Sequence, residues 1–110
     1  MRAVARAMLD RIRWRFAAFR YAGRLPDTLH RNFGARRYYS EVQLRRAAQD
    51  CHLNPKYIAL AFAKYLTDTD YDRLAATMPM QIDRQQAREL FDTFIPQRFL
   101  IGMDNTKPTF

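Results

Sequence analysis

The chain is 110 residues long, 48% hydrophobic and 14% aromatic, which is the size of one domain and too rich in core-forming residues for a disordered chain. Cys51 is the only cysteine, and His30 and His52 are the only histidines; a disulfide framework is excluded, and these three residues by themselves cannot complete a zinc site. The net charge of +8 is uneven: residues 1–46 carry twelve arginines against three acids, or +9, and residues 47–110 carry seven basic residues against eight acids, or −1.

The sequence also limits where the protein is expected to work. No apolar run approaches the roughly 20 residues that cross a bilayer, and arginines interrupt any signal-peptide core near the N-terminus. We therefore predict a cytoplasmic protein, folded as a single domain over residues 1–110, with no metal and no cofactor.

The first predicted element is a long basic helix over residues 2–22. At about 100° per residue, its apolar side chains fall on one continuous face, formed by Val4, Ala5, Met8, Leu9, Ile12, Phe16 and Phe19. We expect this face to serve the core of the domain. Gly23 is expected to end the helix, with Pro26 following, and residues 26–33 are expected to form a separate helical turn that ends at Gly34.

Two helices are predicted in the middle of the chain. Ser40 and Gln43 form a capping box that begins a helix over residues 41–51, and Asn54 with the proline after it begins a second helix over residues 55–66. The second helix is apolar almost all round, which is typical of a helix at the centre of a domain.

This pair of helices has the size and the tight turn of a helix–turn–helix. A second helix that reads DNA needs polar side chains on its exposed face, and here Lys56 is the only one available. We therefore favour two core helices over a sequence-specific DNA reader.

Two short helices complete the predicted bundle. The segment 67–70 caps a helix that halts before Pro79, and Asp83 begins a helix over residues 83–94. An apolar segment over residues 99–101 is expected to pack on the core, and residues 102–110 are expected to form a loose tail. The fold class is all-α, a small bundle of four to five helices with a long basic helix at its N-terminus.

The arginines of the first helix suggest a function. Seven arginines and one acid, Asp10, lie between residues 2 and 24, whereas an ordinary solvated helix face mixes acids and bases. Arginine binds phosphate and carboxylate groups in a forked geometry. We predict a non-enzymatic binding or regulatory module whose anion-binding residues are Arg2, Arg6, Arg13, Arg20, Arg24, Arg36 and Arg37, with Trp14, Tyr38 and Tyr39 as stacking aromatics.

Several anionic partners are open. Nucleic acid is slightly favoured, because arginines and aromatics together suit a phosphate backbone with bases. An acidic protein surface is the alternative, including this protein's own second half or another subunit of a homo-oligomer. A membrane surface also fits the helix, but its apolar face is expected in the core and would be free only if the helix detached. A face that is merely solvated stays open as well.

Catalysis is not expected. Ser40 is the only serine and is assigned to a cap, and Gly23, Gly34 and Gly102 are isolated rather than grouped in a phosphate-binding loop. Cys51 and His52 are adjacent on a helix, so their side chains diverge by about 100° and do not form a nucleophile and its base. We interpret Cys51 as a buried structural thiol.

Overall fold

A computed structural model describes the backbone of residues 2–96 and the side chains of residues 8–96. In this part of the chain the fold is all-helical, with α1 (Arg2–Phe33), α2 (Glu41–Asp50), a short 3₁₀ helix (Pro55–Tyr57), α3 (Ala59–Tyr65), α4 (Asp68–Thr77) and α5 (Arg84–Phe94). The prediction of a small all-α bundle with a long basic N-terminal helix is confirmed. The predicted apolar segment over residues 99–101 and the tail from residue 102 lie outside the described residues.

The first helix is longer than predicted, because α1 continues through Gly23 and Pro26 without a break. A proline inside a helix costs about 3 kcal/mol. Pro26 is fully buried, however, and so are Leu25 and Leu29 on the same helix. Each buried leucine contributes about 1.5–3 kcal/mol, so tertiary packing offsets the local cost. The predicted end at Gly23 and the separate turn over residues 26–33 are therefore wrong.

The helix ends at Gly34, which has a left-handed φ of +87° and donates its N–H to the carbonyl oxygen of His30 at 3.0 Å. The loop that follows is closed by Tyr39. Its hydroxyl donates to the Gly34 carbonyl at 2.6 Å and accepts from the Arg36 N–H at 3.1 Å, and its ring is buried. Tyr39 therefore fixes the path of the chain between α1 and α2.

The predicted starts of the later helices are confirmed by their N-cap hydrogen bonds. Ser40 and Gln43 form the capping box in both directions. The other N-cap side chains that accept backbone N–H groups belong to Asn54, Thr67 and Asp83. These short-range bonds satisfy the unpaired donors at each helix start. The helix starts can therefore be predicted from a few neighbouring residues.

The end of α2 places a histidine where glycine is usual. The N–H of His52 donates to the Gln49 carbonyl at 3.1 Å, and the N–H of Leu53 donates to the Ala48 carbonyl at 2.9 Å. This is a Schellman motif, whose left-handed residue is most often glycine. His52 has a φ of +58°, a conformation that costs an L-residue about 1 kcal/mol.

The predicted helix over residues 55–66 is divided at Ile58 into the 3₁₀ helix and α3. The centre of the bundle is α3, as predicted for this segment. Its side chains are buried except for Lys64, whose Nζ lies 2.5 Å from a carboxylate oxygen of Asp92 on α5. Two arginines of α5 satisfy carbonyls at the C-terminal end of α3: Arg84 donates to Leu66 and Arg88 to Ala63, each at 3.2 Å. The burial of its other six side chains confirms α3 as a core helix.

Candidate functional site

The face of α1 that packs on the domain is not the one that the apolar pattern predicts. It is built mostly from small residues and consists of Ala17, Ala18, Tyr21, Ala22, Leu25 and Leu29, all buried. The large apolar side chains face solvent instead, with exposed fractions of 58% for Met8, 50% for Leu9, 51% for Ile12, 67% for Phe16 and 61% for Phe19. We call these five residues the outer stripe. The expectation that they serve the core is wrong, and the side chains of Val4 and Ala5 lie outside the described residues.

Arginines border the outer stripe on both sides. At about 100° per residue, the exposed residues Arg13, Arg20 and Arg24 lie along one edge, and we call them the arginine row. Arg11 and Arg15, also exposed, lie along the opposite edge. The outer face of α1 is therefore an apolar strip about 17 Å long, from Met8 to Phe19 at 1.5 Å per residue, between two cationic margins.

The arginine row is not neutralised within the described part of the chain. The six ion pairs found there engage Arg31, Arg45, Arg46, Lys64, Arg73 and Arg84. No ion pair between residues 8 and 96 involves the arginine row, Arg11 or Arg15. Four acids of the second half pair with these other basic residues, namely Asp50, Asp68, Asp70 and Asp92.

Phe94 of α5 extends the outer stripe at the edge formed by Arg15. Its ring meets that of Phe19 edge to face, with 5.7 Å between centroids, and the Arg15 guanidinium carbon lies 5.5 Å from its centroid. Since Phe94 is itself only partly buried, the apolar surface continues from α1 onto α5.

A groove lies beside the arginine row, between α1 and the turn that follows α2. It has a volume of about 470 Å³, and the basic side chains that line it are Arg13, Arg20 and His52. Ile12 and Phe16 of the outer stripe also line it. We call it the basic groove, since no acid is among its described lining residues.

The base of the basic groove is held by a hydrogen bond and a ring contact. The Tyr21 hydroxyl donates to the Asn54 carbonyl at 2.6 Å, which ties α1 to the turn. Trp14 packs edge to face on Tyr57 with 4.8 Å between centroids. Both walls of the groove are therefore fixed relative to each other.

A second groove lies on the other side of α1, against α5 and the segment before it. Its volume is about 570 Å³, and its lining contains Arg11 and Arg15 together with three acids, Asp10, Asp83 and Glu89. We call it the mixed groove. The two grooves have similar sizes and opposite suitability for an anion, because only the mixed groove carries carboxylates.

The three predicted stacking aromatics have different environments. Trp14 is half-buried against Tyr57, so it offers only part of its ring. Tyr39 is buried and its hydroxyl is used within the loop, which makes it unavailable to a nucleic-acid base and corrects that assignment. Tyr38 is exposed, with the Arg37 guanidinium carbon 5.3 Å from its ring centroid.

The remaining predicted anion-binding residues do not join the outer stripe. Arg36 and Arg37 are exposed in the loop after α1, about 30 Å along the helix from Arg13. The side chains of Arg2 and Arg6 lie outside the described residues. Of the seven predicted arginines, the structure thus brings together the three of the arginine row.

Cys51 packs as a structural thiol. It is half-buried, and its Sγ lies 3.1 Å from the Ala47 carbonyl oxygen, to which it donates. Burial raises the pKa of the thiol. A thiol kept protonated is a poor nucleophile.

Sequence reasoning placed the outer stripe in the core and did not place His52 in the groove beside it. One signal was available for the outer stripe, because long arginine side chains occur at both edges of the apolar face and are compatible with a solvent-facing position. No comparable signal marks His52, because its position depends on how the turn after α2 meets α1.

A family model matches residues 9–104 of the chain, and the protein therefore belongs to DUF6559, a family of unknown function. No curated protein and no solved structure matches it. Among the helices in the described range, none combines the length and the apolar character needed to cross a bilayer.

Proposed function

We propose that this member of the family binds the surface of an anionic membrane through the outer face of α1. The proposal rests on one observation: five large apolar side chains are exposed on a single helix face with arginines along both edges. Interfacial helices have this composition, with aromatic and aliphatic residues in the acyl boundary and basic residues at the headgroups.

The energetics favour shallow insertion. Full burial of a large apolar side chain contributes about 1.5–3 kcal/mol, and roughly half of each outer-stripe residue is still exposed. Insertion of the stripe would then contribute roughly 1 kcal/mol per residue. Each arginine near an anionic surface contributes about 1 kcal/mol more.

Membrane binding does not require α1 to leave the domain. The inner face of α1 packs on α2, α3 and α5, while the outer stripe lies on the opposite side. One face cannot pack on the core and insert in a membrane at the same time, but here the core uses the inner face and the membrane would use the outer stripe.

A second copy of the chain is a poorer partner for this face. Leu9, Ile12, Phe16 and Phe19 follow the alternating spacing of a coiled-coil seam. In that register the flanking positions hold Arg13, Arg15 and Arg20. Two copies would set arginine against arginine across the interface, which opposes self-association.

Nucleic acid is the second candidate, favoured by the exposed loop that carries Arg36, Arg37 and Tyr38. A phosphate backbone, however, leaves an apolar stripe without a partner. Binding by several arginines to nucleic acid would also fall by orders of magnitude between about 50 and 200 mM salt, whereas insertion of apolar residues persists.

The experiment is co-sedimentation with phosphatidylcholine vesicles that do or do not contain phosphatidylglycerol, at low and high salt. The wild-type protein is expected to bind the anionic vesicles and to keep measurable affinity at high salt. The double variant Ile12→Gln, Phe16→Gln should lose about tenfold or more in affinity, because two inserting side chains become polar.

The matched control is Val42→Gln, which changes another large apolar side chain, 76% exposed, on α2. It should bind like wild type, and all three proteins should keep their circular-dichroism spectra. Absence of wild-type binding to anionic vesicles would refute the proposal, and tight salt-sensitive binding to a nucleic-acid duplex in its place would favour the second candidate. Equal loss in Val42→Gln would show that the outer stripe has no special role.

A further inference from the structure

We infer that the basic groove holds the phosphomonoester headgroup of a membrane lipid. The inference rests on the proposed function and adds a specific ligand to it. The groove volume of about 470 Å³ falls within the range of about 300–1,000 Å³ that is usual for ligand pockets.

Charge is the first argument for this ligand. Arg13 and Arg20 both line the groove, and no described acid lines it. Neither arginine takes part in an ion pair between residues 8 and 96. A phosphomonoester carries close to two negative charges near neutral pH, and guanidinium groups bind phosphate oxygens in a forked geometry. Two arginines therefore match a phosphomonoester better than a phosphodiester with a single charge.

The apolar side of the groove is the second argument, because it points to an amphiphile rather than a free phosphate. Ile12 and Phe16 line the groove and also belong to the outer stripe. A lipid with its headgroup at Arg13 and Arg20 would have its acyl chains beside the side chains that insert in the membrane. Soluble phosphates offer nothing to these two residues.

The third argument is the backbone of His52. The Schellman motif at the end of α2 would be relieved by glycine, yet it holds a histidine at φ +58°. That histidine lines the same groove as Arg13 and Arg20. Backbone strain of this kind occurs at ligand-binding sites, and an imidazole supplies a further donor for a phosphate oxygen.

The mixed groove provides the internal comparison. It lies along the same stretch of α1 and holds two arginines of its own, but Asp10, Asp83 and Glu89 share its lining. Three carboxylates repel a dianionic headgroup. Arg11 and Arg15 therefore serve as a charge-matched control for Arg13 and Arg20.

The test compares binding to phosphatidylcholine vesicles doped with phosphatidic acid and to vesicles doped with phosphatidylglycerol, adjusted to the same zeta potential. We expect wild type to prefer phosphatidic acid by about fivefold or more, since one extra unit charge beside a basic residue is worth about that factor at a membrane surface. Arg13→Gln, Arg20→Gln should bring the preference to about one. Arg11→Gln, Arg15→Gln should weaken binding to both vesicles and keep the preference.

His52→Gly gives a readout that loss of folding cannot mimic. It should raise the melting temperature, because glycine relieves the left-handed backbone, and lower the preference for phosphatidic acid. A variant that is more stable and less selective would assign His52 to binding. A more stable variant with undiminished preference would exclude it from the site.

The outcomes separate this inference from the proposed function. Wild-type binding to both vesicle types with equal affinity would overturn the headgroup site and leave membrane binding intact. Absence of binding to either vesicle would overturn both. A competition experiment separates a lipid from a soluble phosphate. If glycerol 3-phosphate displaces the protein from phosphatidic acid vesicles as effectively as short-chain phosphatidic acid does, the groove binds a soluble phosphate and the assignment of a lipid ligand is overturned.

Discussion

The first half of α1 and the whole of α3 both carry many apolar side chains, which lie in opposite environments. Six of the seven side chains of α3 are buried, whereas the outer stripe of α1 is at least half exposed. The difference lies in the charged neighbours. The one charged residue of α3, Lys64, is paired with Asp92, while the arginines beside the outer stripe have no acid partner in the described range.

Apolar content alone therefore does not identify a core helix. The charged residues that border α3 have partners within the domain. Asp92 pairs with Lys64, and Arg84 and Arg88 donate to carbonyls at the end of α3. The arginines that border the outer stripe lack such partners in the described range, and under the proposed function an anionic surface supplies them.

The largest expected effect comes from truncating one phenylalanine in each region. Phe62→Ala in α3 removes a fully buried ring and should cost about 3–5 kcal/mol of unfolding free energy. Phe16→Ala, at 67% exposure, should change it by less than about 0.5 kcal/mol. Urea unfolding followed by circular dichroism measures both. A large loss in Phe16→Ala would mean that the outer stripe is packed in solution.

Two buried tyrosines differ in whether their hydroxyl groups form hydrogen bonds. The ring of Tyr39 meets that of Tyr65, with 5.5 Å between centroids, but the Tyr65 hydroxyl is buried with no hydrogen-bond partner among the described residues. Tyr39→Phe, which breaks the bonds to Gly34 and Arg36, should cost about 2 kcal/mol. Tyr65→Phe should be neutral or stabilise by up to about 1 kcal/mol, because it removes an unsatisfied polar group. Melting temperatures that fall equally in both variants would contradict this assignment.

Substitutions of two glycines in and after α1 should give the smallest changes in the free energy of unfolding. Gly23 lies on α1, where an added Cβ meets no atom within 4 Å, so Gly23→Ala should stabilise the protein by about 0.5–1 kcal/mol. Gly34→Ala should destabilise it by about 1 kcal/mol, because its φ of +87° is left-handed. Thermal melts of the two variants should shift in opposite directions. A fall in stability for Gly23→Ala would indicate a helix break there after all.

The sequence was sufficient for the helix starts and for α3. A cap such as Ser40 with Gln43 depends on residues three apart, and the all-round apolar pattern of residues 59–65 leaves only a central position in the bundle. Such features are local, and few alternatives compete with them.

The sequence was insufficient for the length of α1 and for its packed face. Gly23 and Pro26 predict an end to the helix locally, but the burial of Leu25 and Leu29 outweighs that preference. The packed face uses alanines that contribute little to a hydrophobic pattern, and so the pattern selected the larger residues of the outer stripe. The candidate site was therefore predicted through its arginines and missed through its apolar half.

The placement of α4 has a consequence for how the molecule approaches a charged surface. Three aspartates lie in α4, and α4 is not among the helices that pack extensively along α1. The helix α1 itself carries eight arginines against two acids, so most of the protein's net charge of +8 lies on this one element. A negative surface attracts such a charge from a distance, and under the proposed function it would turn α1 toward the membrane before contact.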